Sequence, residues 1–425
     1  MKKMLKAETD VLVIGSGAAG LLAGTILSNL GNNVIIAGTG ATMTSISTGN
    51  IIFLNDICAI SNDKKPLRIK DYLKFELPGV FDRVDLDKIR PEICRMLSFL
   101  VPRLDGAGLA MMGDLQKKYL IPSNTGFTYS CELAQYFASQ GNLEDISHGS
   151  VALLGLVGYS DFDPDLASRI LMRTSGLSTK AFWTQMQDIG RRGEMHATEI
   201  AFLSRNTGFQ ESIAEAIKDI DCDTVGIPPI YPLQDYHKKM ELLQKETGRR
   251  IFEVVTPLSL PGLRLQEAME SIARNEGVKL CPGLIATRLK TFGNRAESIV
   301  LKGKYIETEV KFRCLIASTG GMFGRAITNS DNGMRDILNA FEISNIDGLD
   351  DAVAQSRYRE SIQIISRMGL RCDNMLRIFL RGGKVAENVF GAGSCLEGLS
   401  FASGYGLGTA FFTAWLSAMN AMEVL

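Results

Sequence analysis

Residues 10–38, DVLVIGSGAAGLLAGTILSNLGNNVIIAG, decide the fold of this chain of 425 residues. The stretch opens with the apolar run DVLVIG, which is typical of a strand buried on both faces of a parallel sheet. The apolar segment that ends at Gly31 predicts a helix, and NNVIIAG predicts a second buried strand. Together they make a βαβ unit of about 30 residues, so we predict an α/β fold.

The turn between the first strand and the helix has the spacing G-x-G-x-x-G. The first glycine permits a tight turn, the second lets a diphosphate approach the backbone, and the third lets the helix pack on the strand. The N-terminus of the helix then presents N–H groups and a partial positive charge to phosphates. We therefore predict dinucleotide binding at Gly15, Gly17, Ala18, Ala19 and Gly20.

One residue expected of this pattern is missing. An acid usually ends the second strand and bonds the ribose hydroxyls, but here the strand ends in Ile36-Ala37-Gly38-Thr39. Thr39 offers one weaker hydrogen bond in its place. Two interpretations stay open, namely a loosely bound adenosine end or a flavin mononucleotide.

Three glycine-rich turns in the second half of the chain resemble those of two-dinucleotide-binding flavoproteins. Residues 316–321, IASTGG, resemble the A-T-G-G turn that passes close to the cofactor phosphates. Residues 388–394, NVFGAGS, resemble the V-F-A-x-G-[DE] motif, with a serine in place of the acid. Residues 404–408, GYGLG, open the last helix, which in that superfamily points at the flavin pyrimidine ring. The candidate contacts from these turns are Thr319, Gly320, Gly321, Gly393, Ser394, Gly404, Tyr405 and Gly406.

Residues 43–50, MTSISTGN, fall where the same superfamily lays a loop along the isoalloxazine ring. The candidate cofactor contacts in this loop are Ser45, Ser47, Thr48, Gly49 and Asn50. The alternative is a plain solvated loop.

The order of elements predicts three regions. We predict a flavin-binding domain from residues 1–60 and 255–425, a helical segment over 61–119 and an inserted α/β cap or substrate domain over 120–254. The predicted fold class is thus a Rossmann-like FAD/NAD(P)-binding domain, formed by the N- and C-terminal segments and interrupted by the α/β cap.

Composition excludes several other classes of protein. The net charge of −1 argues against nucleic-acid binding. The eight cysteines are never within four residues of each other, and the three histidines are scattered, so we predict no metal or iron–sulfur site on this chain. The apolar run 405–419 is too short to cross a bilayer, and acids at Glu8 and Asp10 argue against a signal peptide.

The chain resembles, over nearly its whole length, the family of B subunits of anaerobic glycerol-3-phosphate dehydrogenase. The family shares the serine in the last motif and the missing acid after the second strand. The other matching segments are Ser47-Thr48-Gly49, Gly262-Leu263-Arg264-Leu265, Asn332-Gly333-Met334-Arg335, Asp373-Asn374-Met375-Leu376-Arg377 and Glu387 to Ser394.

The resemblance implies a flavin-dependent oxidoreductase subunit that carries FAD, with FMN as the alternative. It implies a heteromeric complex, in which a flavoprotein catalytic subunit oxidises sn-glycerol 3-phosphate and an iron–sulfur subunit passes electrons to membrane quinone. The chain is then expected in the cytoplasm, associated with the membrane only through a partner. Two alternatives stay open: a self-sufficient flavin dehydrogenase or reductase of a small organic acid, and a non-catalytic structural subunit with a degenerate flavin site.

Substrate and redox candidates follow from the same chemistry. Arginines in matched motifs, Arg264, Arg335 and Arg377, suit an anionic substrate, and the alternative for each is an ion pair. Oxidation of an alcohol needs a base, and the histidines available are His148, His196 and His237. Cys395 lies next to the predicted flavin-proximal turn, where it is either a redox partner or a buried inert thiol.

Overall fold

The computed structural model describes residues 4–40, 42–53, 86–146, 149–185, 194–321, 324, 326–330, 333–344, 368–399 and 406–425. The chain divides into two compact units. The first unit contains Met1–Met43, Ile52–Leu100 and Met269–Leu425, and the second contains Thr44–Ile51 and Val101–Ala268.

The described elements follow one another along the chain as strands β1–β18 and helices α1–α9. The strands are β1 Met4–Ile14, β2 Val34–Gly38, β3 Met111–Met112, β4 Tyr119–Pro122, β5 Thr128–Cys131, β6 Ala134–Gln135, β7 Ser150–Leu156, β8 Ser178–Thr184, β9 Thr224–Ile227, β10 Arg250–Glu253, β11 Lys279–Pro282, β12 Ile285–Phe292, β13 Arg295–Lys302, β14 Glu307–Ala317, β15 Ile327–Ser330, β16 Gly333–Asp336, β17 Arg377–Leu380 and β18 Lys384–Gly391. The helices are α1 Ala18–Asn29, α2 Leu86–Gly106, α3 Tyr136–Ser139, α4 Pro164–Ser175, α5 Ala197–Leu203, α6 Thr207–Lys218, α7 Leu233–Thr247, α8 Leu260–Asn275 and α9 Gly406–Ala421.

The first unit is built on an eight-stranded sheet. Its order is β11-β2-β1-β14-β13-β12, and β18 also pairs with β14 and with β17. Strands β11, β2, β1, β14 and β18 run parallel to their neighbours in that series, whereas β12, β13 and β14 are antiparallel. The N-terminal βαβ unit and the C-terminal strands therefore share one sheet, which confirms the predicted Rossmann-like α/β fold.

The parallel strands end together at one edge of this sheet. Ile14 lies opposite Ala317 in β14 and Ala37 in β2, and Ala317 lies opposite Gly391 in β18. The apolar run that precedes this edge, from Val11 to Val13, is fully buried, as expected for a strand covered on both faces. The turns that leave β1, β14 and β18 are consequently neighbours.

Helices α1 and α9 pack against each other in the first unit. Helix α1 is buried from Ala18 to Leu27 and ends at Asn29. Leu30 is its C-cap, and Gly31 follows with a φ of +91° that suits a glycine. Helix α9 contacts α2 through the indole N–H of Trp415, which donates to Glu92 Oε2 at 3.0 Å. Among the described residues, no helix has the length and apolar character needed to span a bilayer.

The second unit contains a four-stranded parallel sheet of order β10-β9-β7-β8. Its strands alternate with helices, as predicted for residues 120–250. Helix α4 is well capped, since Asp163 accepts from the amides of Asp165 and Leu166 at 2.9 and 3.0 Å and Gly176 ends it with a φ of +75°. The unit also includes residues 44–51 and extends beyond the predicted insert of 120–254, and the predicted domain bounds stay a prediction.

A buried ion pair lies in the core of the second unit. Arg264 in α8 and Glu253 at the end of β10 are each 1% exposed, and Arg264 Nη2 lies 2.6 Å from Glu253 Oε2. The guanidinium also stacks on the ring of Tyr236, with 3.6 Å from Cζ to the ring centroid. Burial raises the pKa of the Glu253 carboxyl, and the adjacent guanidinium opposes that shift. Arg264 therefore takes the ion-pair alternative, and its role as a substrate ligand stays an untested prediction.

We expect Arg264→Leu to lower the free energy of unfolding by about 3–5 kcal/mol, because it leaves Glu253 buried without a partner. The double variant Glu253→Leu/Arg264→Leu should recover most of that loss, because neither charge then remains. The matched control is Arg274→Leu, later in the same helix, whose pair with Glu270 is exposed and worth less than about 1 kcal/mol. Urea denaturation measures all three. Equal losses for Arg264→Leu and Arg274→Leu contradict the assignment.

Candidate functional site

The turn after β1 is in close contact with the turn after β14. Gly15 has a φ of +118°, and a Cβ added there would lie 2.0 Å from the carbonyl oxygen of Ser318. A Cβ on Gly20 would lie 1.9 Å from the carbonyl oxygen of Gly15. The first and third glycines of the motif are therefore required by close contacts within the chain itself.

Ser318 joins these two turns by hydrogen bonds. Its amide donates to Ile14 O at 2.8 Å. Its hydroxyl donates to Ile14 O at 3.0 Å and to Gly15 O at 3.1 Å. This role of Ser318 was not predicted from the sequence. Its partner lies some 300 residues earlier in the chain, and the residues around Ser318 give no sign of it.

The turn after β18 completes the group. The amide of Ala392 donates to Ala317 O at 2.9 Å. A Cβ on Gly393 would lie 2.8 Å from the Cβ of Ala19, and a Cβ on Gly321 would lie 2.7 Å from Ser394 O. The turns at 15–20, 318–321 and 392–394 are thus in direct contact.

Helix α9 holds the third turn in place. Thr413 Oγ1 accepts from the amide of Gly393 at 2.8 Å and donates to Thr409 O at 2.7 Å. The hydroxyl of Ser417 donates to Gly391 O. These hydroxyls form a second set of positioning groups that the sequence motifs did not single out. Both hydroxyls bond to backbone atoms, so no pattern of side chains in the sequence predicts these contacts.

Cys395 is a buried thiol beneath the same turn. Its Sγ donates to Ala317 O at 3.0 Å and to Ala392 O at 3.2 Å, and the side chain has no solvent exposure. Burial raises the pKa of the thiol to about 12, so it stays protonated at neutral pH. This environment corresponds to the inert-thiol alternative.

The contact among the turns leaves backbone accessible for a ligand. Residues 15–17 and 319–321, together with Ser394, are half-buried rather than sealed by side chains. Helix α1 has no acidic residue in its first turn, and its N-cap, Gly17, provides no side-chain cap. Among the described residues, the first turn of α1 therefore contributes no acid of its own, and this arrangement fits the diphosphate of a dinucleotide. Thr39 is exposed directly after β2, and its ribose contact stays a prediction.

The loop at 44–51, in the second unit, is held by several hydrogen bonds. Thr48 Oγ1 and Tyr129 Oη lie 2.9 Å apart, and Asn50 Oδ1 accepts from the amide of Gln135 at 2.9 Å. Gly49 has a φ of +67°, and a Cβ there would lie 2.4 Å from Pro261 O. This is unlike a plain solvated loop. Contacts of Ser45, Ser47, Thr48, Gly49 and Asn50 with the cofactor stay a prediction.

The candidate arginines are divided between the two units. Arg264 belongs to the second unit, and Arg335 and Arg377 belong to the first. Arg335 is exposed on β16. Arg377 binds the carboxylate of Asp373, with Nη2 at 2.7 Å and Nε at 2.8 Å from Oδ2. Arg377 therefore also takes the ion-pair alternative, which leaves Arg335 as the candidate that the sequence and the exposed position both favour.

The candidate histidines differ in their surroundings. His196 is exposed, and its Nδ1 lies 2.9 Å from Asp161 Oδ1, which raises the pKa of the imidazole. His237 lies 3.1 Å from Glu241 one helical turn away. His148, Gly404 and Tyr405 lie outside the described residues, and Gly406 is the first residue of α9. Within the described ranges, no group of three or more histidine, cysteine or acidic side chains is placed to hold a metal.

Replacing Gly15 with alanine should abolish flavin binding, because the added Cβ meets the Ser318 carbonyl and separates the two turns. The matched control is Gly31→Ala, which has a similar positive φ of +91° but open space around the added Cβ. That control should cost only about 1–2 kcal/mol of stability and keep the flavin. Visible absorbance per chain measures both. A Gly15→Ala protein with full flavin content contradicts this role of the glycine turn.

Comparison with known proteins agrees with these observations. Residues 10–74 match the model of the FAD binding domain family. The B subunit of anaerobic glycerol-3-phosphate dehydrogenase from Yersinia enterocolitica is 23% identical over 98% of this chain and 99% of that protein. The subunit of the same name from Actinobacillus pleuropneumoniae is 22% identical over 95% of this chain and 97% of that protein.

Among solved structures, the open conformation of a flavocytochrome c3 fumarate reductase aligns with a TM-score of 0.46 at 8% identity, over 98% of this chain and 78% of that one. A likeness at this level adds nothing about the site. FAD as the cofactor and the flavin-dependent oxidoreductase class predicted from the sequence are confirmed by the family model and the full-length relatives, whereas the predicted cofactor contacts stay a prediction. The chain carries an FAD-binding domain and is similar, along nearly its whole length, to the B subunit of anaerobic glycerol-3-phosphate dehydrogenase.

Proposed function

We propose that the chain is an electron-carrying subunit of a glycerol-3-phosphate dehydrogenase-like complex. Its flavin would accept electrons as a hydride or singly and deliver them to iron–sulfur centres on a partner chain. The observation that carries the proposal is the contact among the three turns at 15–20, 318–321 and 392–394. Those turns leave accessible backbone at the N-terminus of α1, where a dinucleotide diphosphate fits.

The choice of FAD over FMN rests on the same turns and on the family model. A dinucleotide needs a diphosphate site and a place for the adenosine end. The diphosphate site is the accessible backbone of residues 15–17 at the start of α1. The exposed Thr39 at the end of β2 is the one polar side chain directly after that strand, and we propose that it bonds the ribose in place of an acid.

The need for a partner follows from the side chains available for electron transfer. Within the described ranges, the chain offers no cluster of metal ligands, and Cys395 is a protonated, buried thiol. We propose that electrons leaving the flavin pass to an acceptor on another chain. The relatives are themselves named as one subunit of a larger enzyme, which supports a heteromeric complex with a flavoprotein catalytic subunit and an iron–sulfur subunit.

Two exposed side chains are the candidates for substrate handling by this subunit. Arg335 is exposed and suits a phosphate or carboxylate. His196 in the second unit is exposed, and its contact with Asp161 raises the pKa of the imidazole and so strengthens it as a base. We propose that Arg335 recognises a small anionic substrate.

A spectrum of the purified full-length chain tests the proposal. We expect flavin absorbance, FAD in the pigment released by acid, and rapid reoxidation of the photoreduced flavin by the one-electron acceptor ferricyanide. We also expect no turnover of sn-glycerol 3-phosphate by the isolated chain with an artificial dye. A chain that stays colourless with added FAD favours the structural-subunit alternative. Dye-linked turnover by the chain alone favours the self-sufficient dehydrogenase.

A further inference from the structure

The end of the first unit's sheet that lies opposite the glycine turns carries an unusual surface. Met4 of β1 lies opposite Glu307 of β14, which lies opposite Lys302 of β13, which lies opposite Ile285 of β12. Strand β1 runs from this row to Ile14, a span of about 33 Å at ~3.3 Å per residue. The row is therefore remote from the turn at 15–20.

Exposed apolar side chains are concentrated at this end. Tyr305 is 73% exposed and Met4 is 51% exposed, and Leu5, Ile285 and Ile306 are exposed as well. The amide of Gly303 donates to Ile306 O at 2.8 Å and closes the β13–β14 hairpin, so Tyr305 and Ile306 lie in a tight turn. Single exposed apolar residues are ordinary, but five of them gathered at one end of a sheet indicate an interaction surface.

The charged residues among them are mostly lysines. Lys6, Lys302 and Lys304 are exposed, and Glu307 is half-buried beside them. Lys304 Nζ lies 5.1 Å from the centroid of the Tyr305 ring. Lys2 and Lys3 directly precede this segment in the sequence. We name the set Met4, Leu5, Lys6, Ile285, Lys302, Lys304, Tyr305 and Ile306 the basic tip.

We propose that the basic tip docks on an anionic lipid surface. Lysines attract anionic headgroups, and their long apolar stems allow neighbouring apolar side chains to enter the interface. Tyrosine suits the boundary between the headgroups and the acyl chains, since its ring is apolar and its hydroxyl is polar. The charge complementarity to anionic lipid and the narrow hairpin turn favour a membrane over a protein partner. This inference goes beyond the proposed function and does not depend on flavin binding. It differs from the expectation drawn from the sequence that the chain associates with the membrane only through a partner.

Co-sedimentation with vesicles tests the proposal with the full-length, FAD-loaded chain. We expect binding to phosphatidylglycerol–phosphatidylcholine vesicles that weakens as salt is raised, and much weaker binding to pure phosphatidylcholine. Tyr305→Ser/Ile306→Ser should weaken binding about tenfold or more, through the lost apolar contacts. Replacing Lys302 and Lys304 together with glutamine should weaken it about 25-fold, at about fivefold for each lysine.

The control is Phe292→Ser, at the other end of the same β12–β13 hairpin. Phe292 is 78% exposed and lies opposite Arg295, so it matches Tyr305 in exposure and in its basic neighbour. We expect this variant to bind vesicles like the parent. Unfolding temperature and flavin absorbance confirm that every variant is folded.

Two results overturn the proposal. One is equal vesicle binding by the parent and the basic-tip variants, or binding by none of them. The other is a self-association, seen by sedimentation velocity, that Tyr305→Ser/Ile306→Ser abolishes without any change in lipid binding, which assigns the surface to a protein partner. Vesicle binding and self-association can both be interpreted even if the chain fails to bind flavin, because the basic tip is remote from the glycine turns.

Discussion

The close contact between the turn after β1 and the turn after β14 is the constraint on which the site depends. Ser318 bonds the backbone at Ile14 and Gly15, and no side chain larger than hydrogen fits at Gly15 or Gly20. The turn after β18 joins them through a hydrogen bond from the amide of Ala392 to Ala317 O. Thr413 of α9 fixes that turn by accepting a hydrogen bond from the amide of Gly393. Segments more than 370 residues apart in the chain, at Gly15 and Gly393, are thereby brought to one edge of the sheet. Backbone atoms make most of these contacts, so the arrangement of the turns depends little on the identity of the side chains.

The sequence predicted the part of this arrangement that local pattern controls. An unbroken apolar run, a glycine spacing and a second apolar run are sufficient to predict β1, α1 and β2, because burial on both faces of a parallel strand permits little else. The pairing of the two ends of the chain in one sheet followed from motifs at 316–321 and 388–394 that share a known order. Ser318 and Thr413 could not be predicted, because each acts through a hydrogen bond to distant backbone.

The environment of Arg264 could not be predicted from its neighbours in the sequence. It stands beside a glycine in a segment that resembles its family, and arginines in such positions suit anionic ligands. The structure instead buries it against Glu253 and Tyr236. The partner that neutralises it lies eleven positions earlier, on a different element, and no periodicity in the sequence connects the two. Arg377, by contrast, has its partner Asp373 four residues earlier in the sequence. An acid at that spacing already indicated an ion pair as the alternative to a substrate contact.

Hydrogen–deuterium exchange of the purified chain, with and without FAD, tests most directly whether the three turns jointly enclose the cofactor. We expect FAD to slow amide exchange in three separate segments together, around residues 15–21, 318–321 and 392–395, since all three border one diphosphate site. Protection confined to one of these segments, or found only outside them, would contradict a site shared by the three turns.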